Sequence, residues 1–207
     1  MRITKYEHAC MVIEREGARL VIDPGNFTAP IPELEGIVAV VITHQHKDHW
    51  DEGQLDRILA ANPGIPIYGP AGVAADADDY DVTVVTAGQE VTAGPFALRF
   101  YGGVHAEIHR SIPLIDNLGV LVDGAFAYSG DSFDQPPVPV QLLAVPAGAP
   151  WLKLSEAMDY LAAVAPQRAF GVHEATLSAV GLGMTHTRLG SMGIEYLALE
   201  PGQSIEL

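Results

Sequence analysis

The stretch VVITHQHKDHWDEG, residues 40–53, opens as an apolar, β-branched run and then turns to groups that can bind a metal ion. The chain has eight histidines, and three of them fall within the six positions 44–49. Neutral imidazole and carboxylate suit a borderline ion such as zinc. A histidine pair at i and i+2 can hold one ion while the residues at i+4 and i+5 reach a second. The stretch therefore predicts a metal site made by His44, His46, Asp48 and His49.

Composition narrows the class of protein. The 207 residues are 48% hydrophobic and 18% charged, which predicts a single domain over residues 1–207 with ample material for a core. Cys10 is the only cysteine, so an internal disulfide and a thiolate zinc cluster are both excluded. No apolar run is long enough to span a membrane, and the first residues lack the features of a signal peptide. We therefore expect a cytoplasmic protein without a membrane partner.

The charge of the chain bears on its partners. The formal net charge is −15, from 26 acidic and 11 basic residues, and no stretch concentrates lysine or arginine. Nucleic-acid binding uses basic side chains to displace counterions from phosphates. We therefore expect a small-molecule substrate and no nucleic-acid partner. The sequence leaves the oligomeric state open.

Apolar runs separated by turn residues recur from end to end and predict a mixed α/β domain with helices covering two sheets. The spacing of apolar residues predicts helices over 51–64, 70–78 and 154–167. Strands are predicted over 17–25, 36–43, 65–69, 141–151 and 168–176. An antiparallel meander is predicted over 81–103, a hairpin turning at Asp123-Gly124 over 118–132, and a final pair of strands over 194–207.

Side chains that can bind a metal follow several of these strands at their ends. These residues are Asp23, His44, His105, Asp131 and His173. A lone aspartate at a strand end is usually a turn former or a helix cap, and a lone histidine is more often a hydrogen-bonded core residue. Five such residues at five strand ends need another explanation than a lone one does. In an open sheet, side chains from distant segments meet outside the ends of the strands. The pattern predicts one shared site.

At this point the sequence resembles a known family. THQHKDHW (43–50) fits the HxHxDH signature of the metallo-β-lactamase superfamily, and four shorter segments resemble its other motifs in the same order. The segments are LVIDPG (20–25), YGGVHAEIH (101–109), YSGDS (128–132) and FGVHEA (170–175). The opening EHACMVIEREGARLVIDPG (7–25) further resembles a compact branch of zinc-dependent hydrolases that includes ascorbate-6-phosphate lactonase-like proteins.

The resemblance implies a four-layer αββα sandwich with two divalent ions, expected to be Zn²⁺, although Mn²⁺ or iron also accept these donors. It assigns His44, His46 and His105 to the first ion, Asp48, His49 and His173 to the second, and Asp131 to both as a bridge. Asp23 is expected to support a ligand imidazole through its other ring nitrogen. Two ligand positions remain open, because His109 could serve in place of His105, and His186 in place of His173.

The expected activity is hydrolysis of an ester, lactone, amide or phosphodiester bond in a small molecule by a metal-activated hydroxide. Asp48 or Asp131 is expected to orient that hydroxide as the catalytic carboxylate. Residues near the motifs are candidate substrate contacts: His109, Arg110, His186 and Arg188. The loop 132–140 is expected to contribute to the pocket, and His8 is expected to be structural or to hydrogen-bond near the site.

Three alternatives remain open from the sequence. The first is an iron-dependent oxidoreductase of the same fold, similar to the persulfide dioxygenases. The second is a nuclease, which the net charge of −15 disfavours. The third is a metal-binding module without catalysis, which the complete ligand set disfavours.

Overall fold

A computed structural model describes residues 1–207 of the protein. The strands are β1 (Arg2–Lys5), β2 (Met11–Arg15), β3 (Ala18–Ile22), β4 (Ile37–Val41), β5 (Ile67–Gly69), β6 (Val82–Val84), β7 (Glu90–Ala93), β8 (Phe96–Val104), β9 (Asp116–Val122), β10 (Phe126–Tyr128), β11 (Leu142–Pro146), β12 (Arg168–Val172), β13 (Glu195–Leu197) and β14 (Ser204–Glu206). The helices are α1 (Glu52–Ala61), α2 (Ala71–Asp76), α3 (Leu154–Val164) and α4 (Ala179–Gly190).

The strands form two sheets of seven strands each. The first sheet has the order β14-β1-β2-β3-β4-β5-β6, and the second has the order β13-β12-β11-β10-β9-β8-β7. Strands β3 to β6 run parallel in the first sheet, and β10 to β13 run parallel in the second. The loops that follow β3 and β4 can therefore meet at one edge of their sheet, as can the loops that follow β10 and β12.

Successive side chains along a strand point to opposite faces of its sheet, and the buried ones form three apolar clusters. Leu20 and Ile22 of β3 face the second sheet, where they join a cluster that includes Phe100 and Phe170. Val21, between them, faces outward and packs in the cluster that includes Leu55 of α1. A third cluster packs α3 and α4 on the outer face of the second sheet. The architecture is the four-layer αββα sandwich that the sequence predicted.

The predicted meander over 81–103 is wrong in its first strand. Strand β6 lies parallel to β5 at the edge of the first sheet, and only β7 and β8 form an antiparallel pair in the second sheet. The chain crosses from one sheet to the other at Thr86–Gly88, and the N–H of Gly88 already donates to Phe100 of β8. An alternating apolar pattern looks the same in either sheet, so the pattern did not reveal the crossing.

The C-terminal third also departs from expectation in two places. Strands β13 and β14 both exist, but β13 pairs with β12 and β14 pairs with β1, so they belong to different sheets. His186 lies on α4, a helix that the spacing of apolar residues did not predict. This helix forms because Ser178 caps its N-terminus, accepting from the N–H of Gly181, and because Leu189 is buried in the core.

Two further facts bear on the class of protein. No helix in the structure combines the length and the apolarity that crossing a membrane requires. Cys10 is fully buried, and burial raises the pKa of its thiol. The thiol is therefore an apolar core group and not a reactive one.

The end of α3 provides a test of the backbone geometry. Ala165 ends the helix with φ +47°, in the left-handed region that favours glycine. Ala165→Gly should raise the free energy of unfolding by about 0.5–1 kcal/mol, because the Cβ strain disappears. Ala162→Gly, at an exposed position inside the same helix, should lower it by about 1 kcal/mol. Thermal or urea unfolding measures both, and destabilisation by Ala165→Gly would contradict the assigned helix end.

Candidate metal centre

The loop after β4 carries the histidine cluster and is held against the loop after β3. The N–H of Asn26 donates to the carbonyl of Lys47 at 2.9 Å. A Cβ on Gly25 would lie 1.8 Å from the backbone oxygen of Asp48, so only glycine fits there. The Asp-Pro-Gly turn at 23–25 therefore positions the ligand loop as well as ending a strand.

Asp23 is buried and bonds three groups on the neighbouring loop. Its carboxylate accepts from the N–H of Thr43 at 2.8 Å, from the hydroxyl of Thr43 at 2.7 Å and from Nδ1 of His49 at 2.7 Å. Because Nδ1–H of His49 is donated to Asp23, its Nε2 is left as a lone pair that points into the site. The structure thus places Asp23 where a supporting residue for a ligand imidazole is needed.

His105 and His173 are oriented in the same way. Nδ1 of His105 donates to the carbonyl of Ala106 at 2.6 Å, and Nδ1 of His173 donates to the carbonyl of Gly148 at 2.7 Å. The Nε2 atoms of His49, His105 and His173 are all buried without a hydrogen-bond partner. Three buried nitrogens that lack partners require a group to bind them.

The three nitrogens converge on Asp131. Its Oδ1 lies 3.3 Å from Nε2 of His49, and its Oδ2 lies 3.1 Å from Nε2 of His173 and 3.4 Å from Nε2 of His105. Lone pairs on nitrogen and oxygen repel each other unless a proton or a cation lies between them. Two ligand atoms on one tetrahedral zinc ion lie roughly 3.3 Å apart, given bonds of about 2.0–2.1 Å. Each of the three distances between an imidazole nitrogen and the Asp131 carboxylate fits two ligand atoms on the same ion.

His44 and His46 complete the first side of the cluster. Nε2 of His44 lies 3.1 Å from Nδ1 of His46, which again is the spacing of two ligand atoms on one ion. Potential ligand atoms lie within 4.8 Å of one another in three groups. The groups are His44, His46 and His105; His44, His49 and Asp131; and His8, Asp48, His49 and His173. All seven residues that the resemblance assigns as ligands therefore lie in one cluster, and its imidazole and carboxylate donors fit a metal site.

His8 is a hydrogen-bond donor in this cluster. Its Nδ1 accepts from the N–H of Ala175 at 3.2 Å, so the proton of the neutral ring sits on Nε2 and is donated to Oδ2 of Asp48 at 3.0 Å. The backbone around it is also shared, since the N–H of His173 donates to the carbonyl of His8 at 2.8 Å. His8 holds Asp48 in place, which is the near-site role that the sequence left open.

Two residues that support Asp131 were not predicted from the sequence. Nε1–H of Trp151 donates to Oδ2 of Asp131 at 2.8 Å. The side chain of Asn117 accepts from the N–H of Asp131 at 2.9 Å and donates to the carbonyl of Ser129 at 2.9 Å. Both lie within or beside apolar runs, and nothing in their local sequence sets them apart from core residues.

Three residues of the site have a left-handed backbone that non-glycine residues rarely adopt. The φ angles are +60° for His8, +47° for Asp23 and +63° for His173. Each such residue costs about 1–2 kcal/mol, and the surrounding hydrogen bonds keep it in place. The strain therefore gathers at the same edge of the sandwich as the unpartnered nitrogens.

The alternative ligands and the tentative substrate contacts lie elsewhere. His109 is exposed and bonds Ser111 at 2.7 Å, while His186 bonds the hydroxyl of Tyr196 at 2.7 Å. Neither belongs to a group of potential metal ligands, so the structure brings in His105 and His173 instead. Arg110 and Arg188 are exposed, on the loop after β8 and on α4. Their roles in substrate binding remain predictions.

Of the loop 132–140, only the start packs beside the metal centre, and its contribution to a substrate pocket stays a prediction. Phe133 stacks edge-on against Trp151, with ring centroids 5.2 Å apart. The segment 135–139 instead lies near the end of α3, beside Ala163 and Val164. Consecutive prolines at 136 and 137 carry the chain along the surface and away from the ligands.

Charges in the cluster are coupled. Burial opposes a charge on Asp131, but the imidazoles of His173 and His49 hold its pKa well below the usual range. The pKa values of His49 and His173 are both raised. Burial alone would lower them, but the charge of Asp131 outweighs burial. Burial holds the pKa of His44 well below its ordinary value. Without a metal, protons on His49 and His173 therefore neutralise the buried carboxylate.

Comparison with known proteins gives the family. A family model described as the beta-lactamase superfamily domain matches residues 2–173. The chain belongs to this superfamily. The Mycobacterium tuberculosis protein Rv0786c is 36% identical over 99% of this chain and 98% of its own length. A UPF0173 metal-dependent hydrolase of Aeropyrum pernix is 37% identical over 36% of this chain and 33% of its own.

Solved structures share the superfamily fold. Igni18, described as a novel metallo hydrolase from the archaeon Ignicoccus hospitalis, has a TM-score of 0.74 at 16% identity and covers 99% of this chain and 97% of its own. CmlA, described as a diiron beta-hydroxylase from Streptomyces venezuelae, has a TM-score of 0.73 at 14% identity and covers 100% of this chain and 54% of its own. At such identities the likeness shows the fold of the superfamily alone.

Metal uptake should depend on pH. Below their raised pKa values His49 and His173 hold protons that an incoming ion must displace, so zinc affinity should fall as pH falls and level off above those values. Calorimetric titration of the metal-free protein between about pH 6 and 9, in two buffers of different ionisation enthalpy, measures both affinity and proton release. His109→Ala should behave like the wild type. Zinc affinity that rises on acidification would contradict this account.

The indole of Trp151 should contribute to metal affinity. Trp151→Phe removes the donor to Asp131 and keeps an aromatic ring, so zinc affinity should fall about 10- to 100-fold. Competition with a chelator measures the change. Tyr160→Phe is the matched control, because it removes a buried donor to Asp134 on the same wall. Equal losses in both variants would show that Trp151 acts only through packing.

Proposed function

We propose that this chain is a metal-dependent hydrolase with a dinuclear site, occupied by zinc, that cleaves an ester, lactone, amide or phosphodiester bond in a small molecule. One observation carries the proposal: three buried imidazole nitrogens without partners face the carboxylate of Asp131. The UPF0173 metal-dependent hydrolase of Aeropyrum pernix, 37% identical over 36% of this chain, supports the reaction class.

The ligands divide between the two ions by their position. His44, His46 and His105 would hold one ion, and Asp48, His49 and His173 would hold the other, with Asp131 available to both. When bound, two such ions supply a hydroxide at neutral pH and polarise the bond under attack. Trp151 and Asn117 keep Asp131 fixed, so the bridge does not depend on either ion for its orientation.

The two candidate catalytic carboxylates have different tasks. Asp131 is buried, at 3% exposure, and would bridge the two ions. The side chain of Asp48 is 23% exposed. Burial opposes its charge, but the hydrogen bond from His8 lowers the pKa of Asp48 to about 2, so it is ionised at neutral pH. An ionised Asp48 accepts a hydrogen bond from an attacking water and does not donate a proton to a leaving group.

The rival activities are separated by metal and substrate. Iron accepts the same donors. Stoichiometric iron in the purified protein, together with oxygen consumption, would favour an oxidoreductase over a hydrolase. A nuclease needs a basic surface for a polyanion, and the net charge of −15 disfavours one. The cytoplasmic location and the absence of a nucleic-acid partner stay predictions.

Ligand removal tests the proposal. His46→Ala and Asp131→Ala should each lower the bound zinc and reduce hydrolysis of a lactone or phosphodiester probe by about 1000-fold, because several kcal/mol of transition-state stabilisation are lost. Elemental analysis of protein purified without a chelator, followed by turnover assays, measures both effects. His109→Ala serves as the control for zinc content alone, since His109 is exposed and outside the ligand groups but is a candidate substrate contact. Full zinc occupancy in both ligand variants would refute the assigned site.

A further inference from the structure

The metal centre is open on one side. Five of the seven ligands are at most 4% exposed: His44, His49, His105, Asp131 and His173. Only His46 and Asp48 are partly exposed. A substrate therefore reaches the ions across these two residues, and the surface beside them contacts whatever is attached to the bond under attack.

A cavity of about 190 Å³ begins at this opening. His46 and His105 form one wall, and the loop after β8 forms the other with a run of apolar side chains. These are Ile108, Ile112, Pro113, Leu114 and Ile115. Ile112 is 46% exposed and Leu114 is 59% exposed, so both have apolar surface that a ligand would remove from water.

No lysine or arginine lines this cavity. Lys47, on the ligand loop, lies 3.2 Å from the centre of the Trp50 ring and 3.4 Å from a carboxylate oxygen of Asp76. Phosphate and carboxylate groups are bound by guanidinium and ammonium groups. A phosphorylated substituent would therefore find no partner here, whereas an aliphatic chain would find a matching surface.

We infer that the cavity receives an aliphatic chain attached to the carbonyl under attack, which makes short-chain acyl esters and alkyl lactones the preferred substrates. This inference rests on the proposed hydrolase function. The cavity has the volume of roughly six water molecules at ~30 Å³ each, and a methylene group is similar in size to a water molecule. A chain of about six carbons fills it. The carbonyl then lies beside His46 and His105, at the first ion.

Chain length is the direct test. With the zinc-loaded protein, kcat/KM for p-nitrophenyl esters should rise at least tenfold from acetate to hexanoate, since each fully buried methylene contributes about fourfold. Leu114→Ala and Ile112→Ala should each reduce this rise by threefold or more, with little effect on acetate. Val84→Ala is the matched control, because Val84 is also 46% exposed but lies on β6 at the sheet edge. A flat series, or an equal loss for all esters in the loop variants, would overturn the inference.

A binding measurement separates this inference from the proposed function. Calorimetry measures the affinities of acetate and hexanoate for the zinc-loaded protein in competition, and this measurement needs no turnover. At least tenfold tighter binding of hexanoate, reduced in Leu114→Ala and unchanged in Val84→Ala, supports the cavity even if no ester is hydrolysed. Equal affinity for the two carboxylates overturns it, even if the protein proves to be a hydrolase.

Discussion

The carboxylate of Asp131 lies buried among three imidazoles whose other ring nitrogens already donate elsewhere. A buried charge is costly unless it is paired, so this carboxylate requires positive charge at the point where the imidazoles converge. Without a metal, protons on His49 and His173 supply that charge. Trp151 and Asn117 hold Asp131 in position. The rest of the cluster is arranged around this one group.

The residues of the cluster could be predicted from sequence because each follows a strand or lies in the dense motif at 44–49. Apolar runs and helical spacing predicted two sheets covered by helices, and the family resemblance implied the four layers. Trp151 and Asn117 could not be predicted, because their partner Asp131 lies 20 and 14 positions away along the chain. Helix α4 was missed because Gly181 and Gly183 lower helix propensity, and burial of Leu189 overrides it.

The apolar loop and the acidic chain place different constraints on a substrate. The overall charge of −15 repels anions at a distance, and no lysine or arginine lines the cavity beside His46 to offset that repulsion. A bound metal would supply the local positive charge that binds and polarises a polar group. Selectivity then depends on a few side chains between His105 and Asp116, a segment that can change in sequence without disturbing the ligands.

The ligands come from both sheets of the sandwich. Those at 44–49 follow β4 in the first sheet, while His105, Asp131 and His173 follow strands β8, β10 and β12 of the second. In a chain with a single buried cysteine, a metal bound between them would act as the cross-link that a disulfide otherwise provides. Unlike a disulfide, such a cross-link is governed by mass action, so the stability of the contact between the two sheets would vary with the concentration of free metal around the protein.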